Sequence, residues 1–322
     1  MEKNKMGYKS IPGLITKMSL PVIFSMLVQA LYNVVDSIFV ARVSEEALTA
    51  VSLAFPIQLI VIAAFVGLST GISSAISRKL GAKDHKAAVQ VAEHGVLIAA
   101  VLYVMVALAG FFLMKYLFLG FSIGSFTFNG FTENQNIIKY GIIYVQIVMV
   151  FSFGSIFNHA GMSVFRGTGD MIKPMIAQLL GAVLNIILDP ILIFGFGIIP
   201  AMGVKGAAIA TISAQIIAMI YIWIQLLGGK SIIKMKIKAF KLDMHIIGQI
   251  IVVGIPSAIV QGLGSVMLFS MNFILSNFGD SAIAVMGVYF KVQSMVFMPI
   301  FGLSIGTMPV VGFNYGAKNK ER

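Results

Sequence analysis

Long, nearly unbroken apolar runs, parted by short clusters of charge, Gly and Pro, dominate the pattern along this chain. Eight such runs cover roughly residues 14–41, 50–77, 88–114, 136–162, 173–197, 204–228, 246–275 and 284–313. Each exceeds the roughly 20 residues that an α-helix needs to cross ~30 Å of hydrocarbon. They are also far longer than the ~10-residue alternating strands of a transmembrane barrel. Backbone polar groups in lipid must be satisfied within the segment, so the pattern predicts an all-α membrane protein with eight spans. The polar start, MEKNKMGYKS, leads into an apolar stretch too long for a signal-peptide core and without a small-residue cleavage site, so the first run reads as a retained span.

Composition agrees. Of 322 residues 58% are hydrophobic and 11% charged, and mean hydropathy is +0.96. Soluble domains sit near roughly 45–50% apolar and 25% charged. With no Cys there is no disulfide, no CxxC redox motif and no cysteine-ligated zinc; the four His (His85, His94, His159, His245) lack metalloprotease spacing. Neither a Ser/Lys nucleophile pair nor a Gly-rich phosphate loop is present, so the sequence predicts neither an enzyme nor a cofactor.

The net charge of +11 raises the question of where the cations sit. They fall on alternate connections: Lys3, Lys5, Lys9 and Lys17; Arg78, Lys79, Lys83 and Lys86; Arg166 and Lys173; Lys230, Lys234, Lys236, Lys238 and Lys241; Lys318, Lys320 and Arg322. The opposite side has only Arg42, Lys115, Lys139 and Lys205. The positive-inside rule then predicts a multi-pass protein of the cell membrane with both ends cytoplasmic. The basic charge addresses anionic lipid rather than nucleic acid.

The longest polar interruption, GGKSIIKMKIKAFKLDMH, divides six spans from two. It predicts a first lobe over 1–229, a basic cytoplasmic linker over 230–245 and the start of a second lobe over 246–322. The offset of 235 residues that carries Pro21 onto Pro256 also pairs Phe55 with Phe290, Gln58 with Gln293, Gly67-Leu68-Ser69 with Gly302-Leu303-Ser304, Gly71 with Gly306, and Gly81-Ala82-Lys83 with Gly316-Ala317-Lys318. Weak internal symmetry of this kind marks transporter folds that rock two lobes about a midplane site. On this reading spans 7 and 8 repeat spans 1 and 2, and four further spans are expected as partners of this chain.

Within the spans, ionisable residues are functional candidates by default. Only Asp36 and Asp189 lie well inside. Gln29, Asn33 and Asp36 share one face of span 1, and Gln178, Asn185 and Asp189 one face of span 5. Both Asp are expected at similar depth, close enough to share a hydrated pocket. Such a pair suits H+ or Na+ coupling, with Asn185 and Thr211 adding the oxygens a hard cation prefers; Asp36, Asn185 and Asp189 also form a possible Na+ set. The competing assignment is inert polar packing, for which Ser, Thr, Asn or Gln cost less to bury. Lys291 reads as a snorkelling side chain and His159 as packing rather than relay. Prolines within spans, Pro190 above all because it follows Asp189, permit bends.

QALYNVVDSIFVA, RGTGDMIKP, NIILDPILIFGFG, MGVKGAAIATISAQ and PIFGLSIGTMPVVGFNYGAKNK together resemble the multidrug and toxic compound extrusion (MATE) transporters along the whole chain. The resemblance implies a twelve-span, two-lobe helical bundle that exports lipophilic organic cations in exchange for H+ or Na+. Motif by motif, it places cation coupling at Asp36, Asn185, Asp189 and Thr211; Gln29, Tyr32, Asn33, Gln58, Gln178 and Gln261 stand as substrate-binding candidates. ARVSEE departs from the family's usual Gly-containing turn, and Met271 stands where the repeat would put an acid, so coupling is expected in the first lobe. Two alternatives stay open: a flippase for lipid-linked substrates, disfavoured by having Lys291 as its single cation within a span, and a non-transporting remnant.

Overall fold

The computed structural model describes residues 4–123, 126–128, 134–229, 231–235, 240–276 and 280–322. After a 3-10 turn at Lys5–Gly7 come α1 (Ile11–Ala41), α2 (Glu45–Gly81), α3 (His85–Phe112), α4 (Met114–Leu119), β1 (Phe121–Ile123), β2 (Phe126–Phe128), α5 (Gln135–Val150), α6 (Phe153–Thr168), α7 (Ile172–Phe194), α8 (Val204–Leu227), α9 (Met244–Ser276) and α10 (Asp280–Gly316). Among the described residues seven helices are long and apolar enough to cross a bilayer, and α5 with α6, bent by 42° at a short break, pass the same test together as a pair.

The run over 136–162, predicted as one helix, is therefore two. The break falls at Phe151 and Ser152, where Ser152 N–H turns to the Met149 carbonyl (3.2 Å) and its own carbonyl starts the next helix by accepting Ile156 N–H (3.0 Å). The cause is local: Ser152 and Gly154 form the kind of small, weakly helical pair at which helices kink. A Cβ at Gly154 would lie 2.8 Å from Ile216 Cγ1, so α8 crosses there with no room for a side chain. A second feature outside the predicted spans is the antiparallel pair β1 and β2, in register Phe121↔Phe128, which follows α4.

The 235-residue repeat has a direct structural counterpart. α2 at Glu45–Gly81 and α10 at Asp280–Gly316 coincide end for end under that offset, and α1 and α9 end at equivalent residues, Ala41 and Ser276. Among the described residues, the two non-Gly residues with positive φ are also equivalents, Lys83 (62°) and Lys318 (55°). Packing repeats as well. A Cβ at Gly67 on α2 would lie 2.6 Å from Ala258 Cβ on α9; one at the equivalent Gly302 on α10 would lie 2.9 Å from Ile23 Cα, the equivalent of Ala258, on α1. Gly81 lies against the Phe313 carbonyl and Gly316 against the Arg78 carbonyl, and Phe313 and Arg78 are themselves equivalents. This reciprocity defines a pseudo-two-fold axis between α2 and α10. The main core gathers Phe65, Ile72, Ile76, Phe118, Ile156, Phe165 and Ile222 from α2, α4, α6 and α8, all nearly inaccessible.

Candidate functional site

Asp36 lies five residues before the end of α1 and Asp189 five before the end of α7. Their equal depth follows from this, since α1 and α7 pack together and each residue rises ~1.5 Å. The two carboxyls come within hydrogen-bonding reach of each other. An ionised carboxylate only accepts, so a bond between them requires one shared proton. Asp189 is fully buried and Asn185 nearly so.

Asn185 is one turn before Asp189 and packs toward α8. In the amide orientation that satisfies both ends, its Nδ2 donates to Asp189 Oδ2 (3.1 Å) and its Oδ1 accepts the Thr211 backbone N–H (3.2 Å). The Thr211 hydroxyl donates to the Ala207 carbonyl (3.0 Å). The four predicted coupling residues thus meet at one place, from three helices. Pro190 has no N–H to offer the preceding turn of α7, which leaves the backbone beside Asp189 free to bend. Asp36 Oδ1 is buried and accepts no hydrogen bond, as does Ser152 Oγ nearby. Unpartnered buried oxygens are uncommon and costly, and here both belong to residues that line a cavity.

That cavity, about 160 Å³, is lined from α1 by Tyr32, Asn33 and Asp36, from α2 by Phe55, Gln58 and Phe65, and from α5, α6 and α8 by Tyr144, Ser155, Thr211 and Gln215 among others. The Tyr144 and Tyr32 hydroxyls lie near Gln58 and Gln29 respectively, and both phenols stand beside the carboxylate pair. Of the predicted substrate-binding residues, Tyr32, Asn33 and Gln58 line the cavity. Gln29, beside Tyr32, lies outside the lining, as do Gln178 and the exposed Gln261 on α9. The Lys291 side chain lies outside the described residues. His159 donates from Nδ1 to the Ser155 carbonyl (2.9 Å) and packs on Phe65, just below the cavity wall.

Tyr144 and Gln215 were not singled out from the sequence. Gln215 carried a usable signal, lying one helical turn from Thr211 on the same face. Tyr144 carried none, since an aromatic in a span points to lipid as readily as to a pocket. Replacing Tyr144 by Phe keeps the ring and removes the hydroxyl; losing one such hydrogen bond should weaken binding of a cavity ligand by roughly 2- to 12-fold. Titration of purified protein with a fluorescent lipophilic cation measures it.

A membrane-embedded helical bundle with an internal repeat and a buried carboxylate pair beside a polar and aromatic cavity is the build of a secondary transporter. The comparisons make this specific. A family model described as MatE matches residues 21–191 and 256–322, and the chain belongs to the multidrug and toxic compound extrusion family. Among curated relatives, it is 25% identical to the FAD transporter of Shewanella oneidensis over 99% of this chain and 69% of that one. It is 27% identical to the multidrug export protein MepA of Staphylococcus aureus over 94% of this chain and 64% of that one. A solved MOP superfamily transporter from Pyrococcus furiosus, described as having a binding pocket of reverse polarity, superimposes with a TM-score of 0.89 at 30% identity, covering 100% of this chain and 68% of that one. An outward-facing multidrug resistance MATE transporter gives the same values. The chain spans about two thirds of the length of these relatives.

Proposed function

We propose that this chain serves cation-coupled antiport: H+ or Na+ entering at Asp36 and Asp189 drives lipophilic, often cationic, drugs outward across the cell membrane. In this reading α1–α8 form the first lobe, residues 230–245 the cytoplasmic linker and α9–α10 the start of the second, with the N-terminus inside. The observation that carries it is the carboxylate pair, with Asp36 Oδ1 buried and unpartnered on the wall of the cavity. A drug cation or a coupling ion can satisfy that oxygen, and the two compete for one negative charge. Tyr32, Phe55, Phe65 and Tyr144 supply ring faces that attract a cation in a desolvated site. Loading the pair with H+ or Na+ cancels the charge, and the drug leaves toward the outside.

The multidrug relatives favour this cargo, and the FAD transporter relative supplies the competing one. FAD carries phosphates, and among the described residues the cavity lining holds a carboxylate and no Lys or Arg. Vesicles containing the purified protein, loaded with ethidium or with FAD and given an inward H+ or Na+ gradient, separate the two. Ethidium movement that depends on one of the gradients is expected, with FAD retained. Gradient-driven movement of FAD but not ethidium overturns the drug reading, and movement of neither overturns antiport.

A further inference from the structure

The connection between α8 and α9 is held by a residue that the transport site does not use. His94, on α3, is fully buried. Its Nδ1 lies 2.7 Å from the Gln90 carbonyl oxygen, which only accepts, so Nδ1 carries the hydrogen. Its Nε2 receives the Asp243 backbone N–H at 2.8 Å, so Nε2 is bare. The two partners leave one arrangement, the neutral imidazole protonated on Nδ1. The Phe240 ring covers it at 4.9 Å.

Asp243 is the residue from which α9 starts. Its carbonyl accepts Ile247 N–H (3.2 Å) and its Oδ1 accepts His245 N–H (2.8 Å). The imidazole therefore grips the cap of the helix that packs along α2 through Gly67 and Gly71. Upstream, Ser231 and Ile233 are buried, Ile233 within the main core, while Lys234 and Lys241 are exposed. The basic connection read from sequence as a surface loop is thus anchored at both ends; Lys236 and Lys238 lie outside the described residues.

We propose that His94 is a positioning residue that docks the α8–α9 connection onto α3, and that it does so only as a neutral imidazole. A proton on Nε2 would set one N–H against another and remove the bond from α3 to the cap. Docking and protonation exclude one another, so acidifying the side that bears the connection frees it. Among the described residues, the charged or titratable groups on the elements about this end of α3 are His85, Lys86 and Glu93 on α3, Lys234, Lys241 and Asp243 in the connection, His245 on α9, Arg78 and Lys79 on α2 and Arg166 on α6. Among them, Asp243 turns its carboxylate to its own helix, and Arg78 donates to the Ser74 and Gln249 carbonyls (3.3 Å each).

The chain has no Cys, so single thiols report the docking without reference to transport. Ser231→Cys places one under the docked connection and Leu242→Cys one on its exposed face. The ratio of their maleimide labelling rates in membrane vesicles cancels the common change in thiolate fraction. Between about pH 8 and about pH 5.5, where imidazoles titrate, the ratio should rise about tenfold, the scale of one lost hydrogen bond. In a His94→Gln background, uncharged throughout, it should stay flat, and in His94→Lys it should be high at every pH. A flat ratio with native His94, or an equal rise in His94→Gln, overturns the proposal. Should the variants not fold, hydrogen exchange of the 240–247 backbone in the unaltered protein decides: protection that falls with acidification, after correction for intrinsic exchange, supports it, and constant protection refutes it.

Discussion

Asp36→Asn is expected to reduce gradient-driven drug efflux to the background of vesicles lacking the protein, while leaving the protein folded and able to bind drug. Asn matches Asp in size and still donates toward Asp189, so it imitates the protonated partner permanently. The pair then cannot pass between its two charge states, and the drug no longer competes with the coupling ion at Asp36. In the unaltered protein drug affinity should differ between ion-loaded and ion-free conditions by about 5- to 150-fold, the usual span of a coupling free energy. In Asp36→Asn that difference should collapse, whichever of H+ or Na+ proves to be the ion. Dye efflux from vesicles and drug titrations at two ion concentrations measure the two effects. Efflux at the parental rate, with its ion dependence intact, would exclude Asp36 from coupling and return it to polar packing.

The pairing of Asp36 with Asp189 was legible because each is an expensive residue to bury and each ends a run of polar residues at helical spacing. Depth could be counted from span ends, and the observed ends of α1 and α7 give the same five residues for both. Asn185 followed from the polar face it shares with Asp189, and Thr211 from the oxygen ligands a hard cation prefers, with the motif resemblance agreeing; the structure adds the hydrogen bonds that join them. What could not be read was the far side of the cavity. Tyr144 reaches it because α5 and α6 part at Ser152, and that break has no Pro to announce it. Ser152 and Gly154 are small residues of a kind common in spans, and what marks them here is the approach of Ile216 to Gly154, a contact between segments some sixty residues apart. How the linker is held could not be read for a related reason. Its lysines dominate the sequence pattern, whereas its placement is set by Ile233 in the core and by a backbone N–H bonded to His94.

The repeat, legible as a dozen scattered identities, gives the second large effect. At the basic ends of α2 and α10, Gly81 and Gly316 each face a carbonyl of the other helix, and Gly312 faces its own equivalent, Ser77, across the axis. Carbonyl oxygens in a helix cannot step aside, so a side chain at either glycine must part the helices. Gly316→Val should cost about 1–3 kcal/mol of this contact, which converts to a roughly 5- to 150-fold shift toward forms in which the two basic ends are separated. Ser77 is fully buried in that seam, so a Ser77→Cys thiol should react with maleimide faster by a similar factor once Gly316 is replaced. Gly264→Ala, where a Cβ meets nothing within 4 Å, should leave the rate unchanged. The pseudo-symmetry makes a stronger demand: Gly81→Val must reproduce the effect of Gly316→Val, because each removes one half of the same reciprocal contact. Unequal effects would mean that the two halves of the seam do not part together, and an unchanged rate in both would mean that the seam is not where this end of the molecule opens.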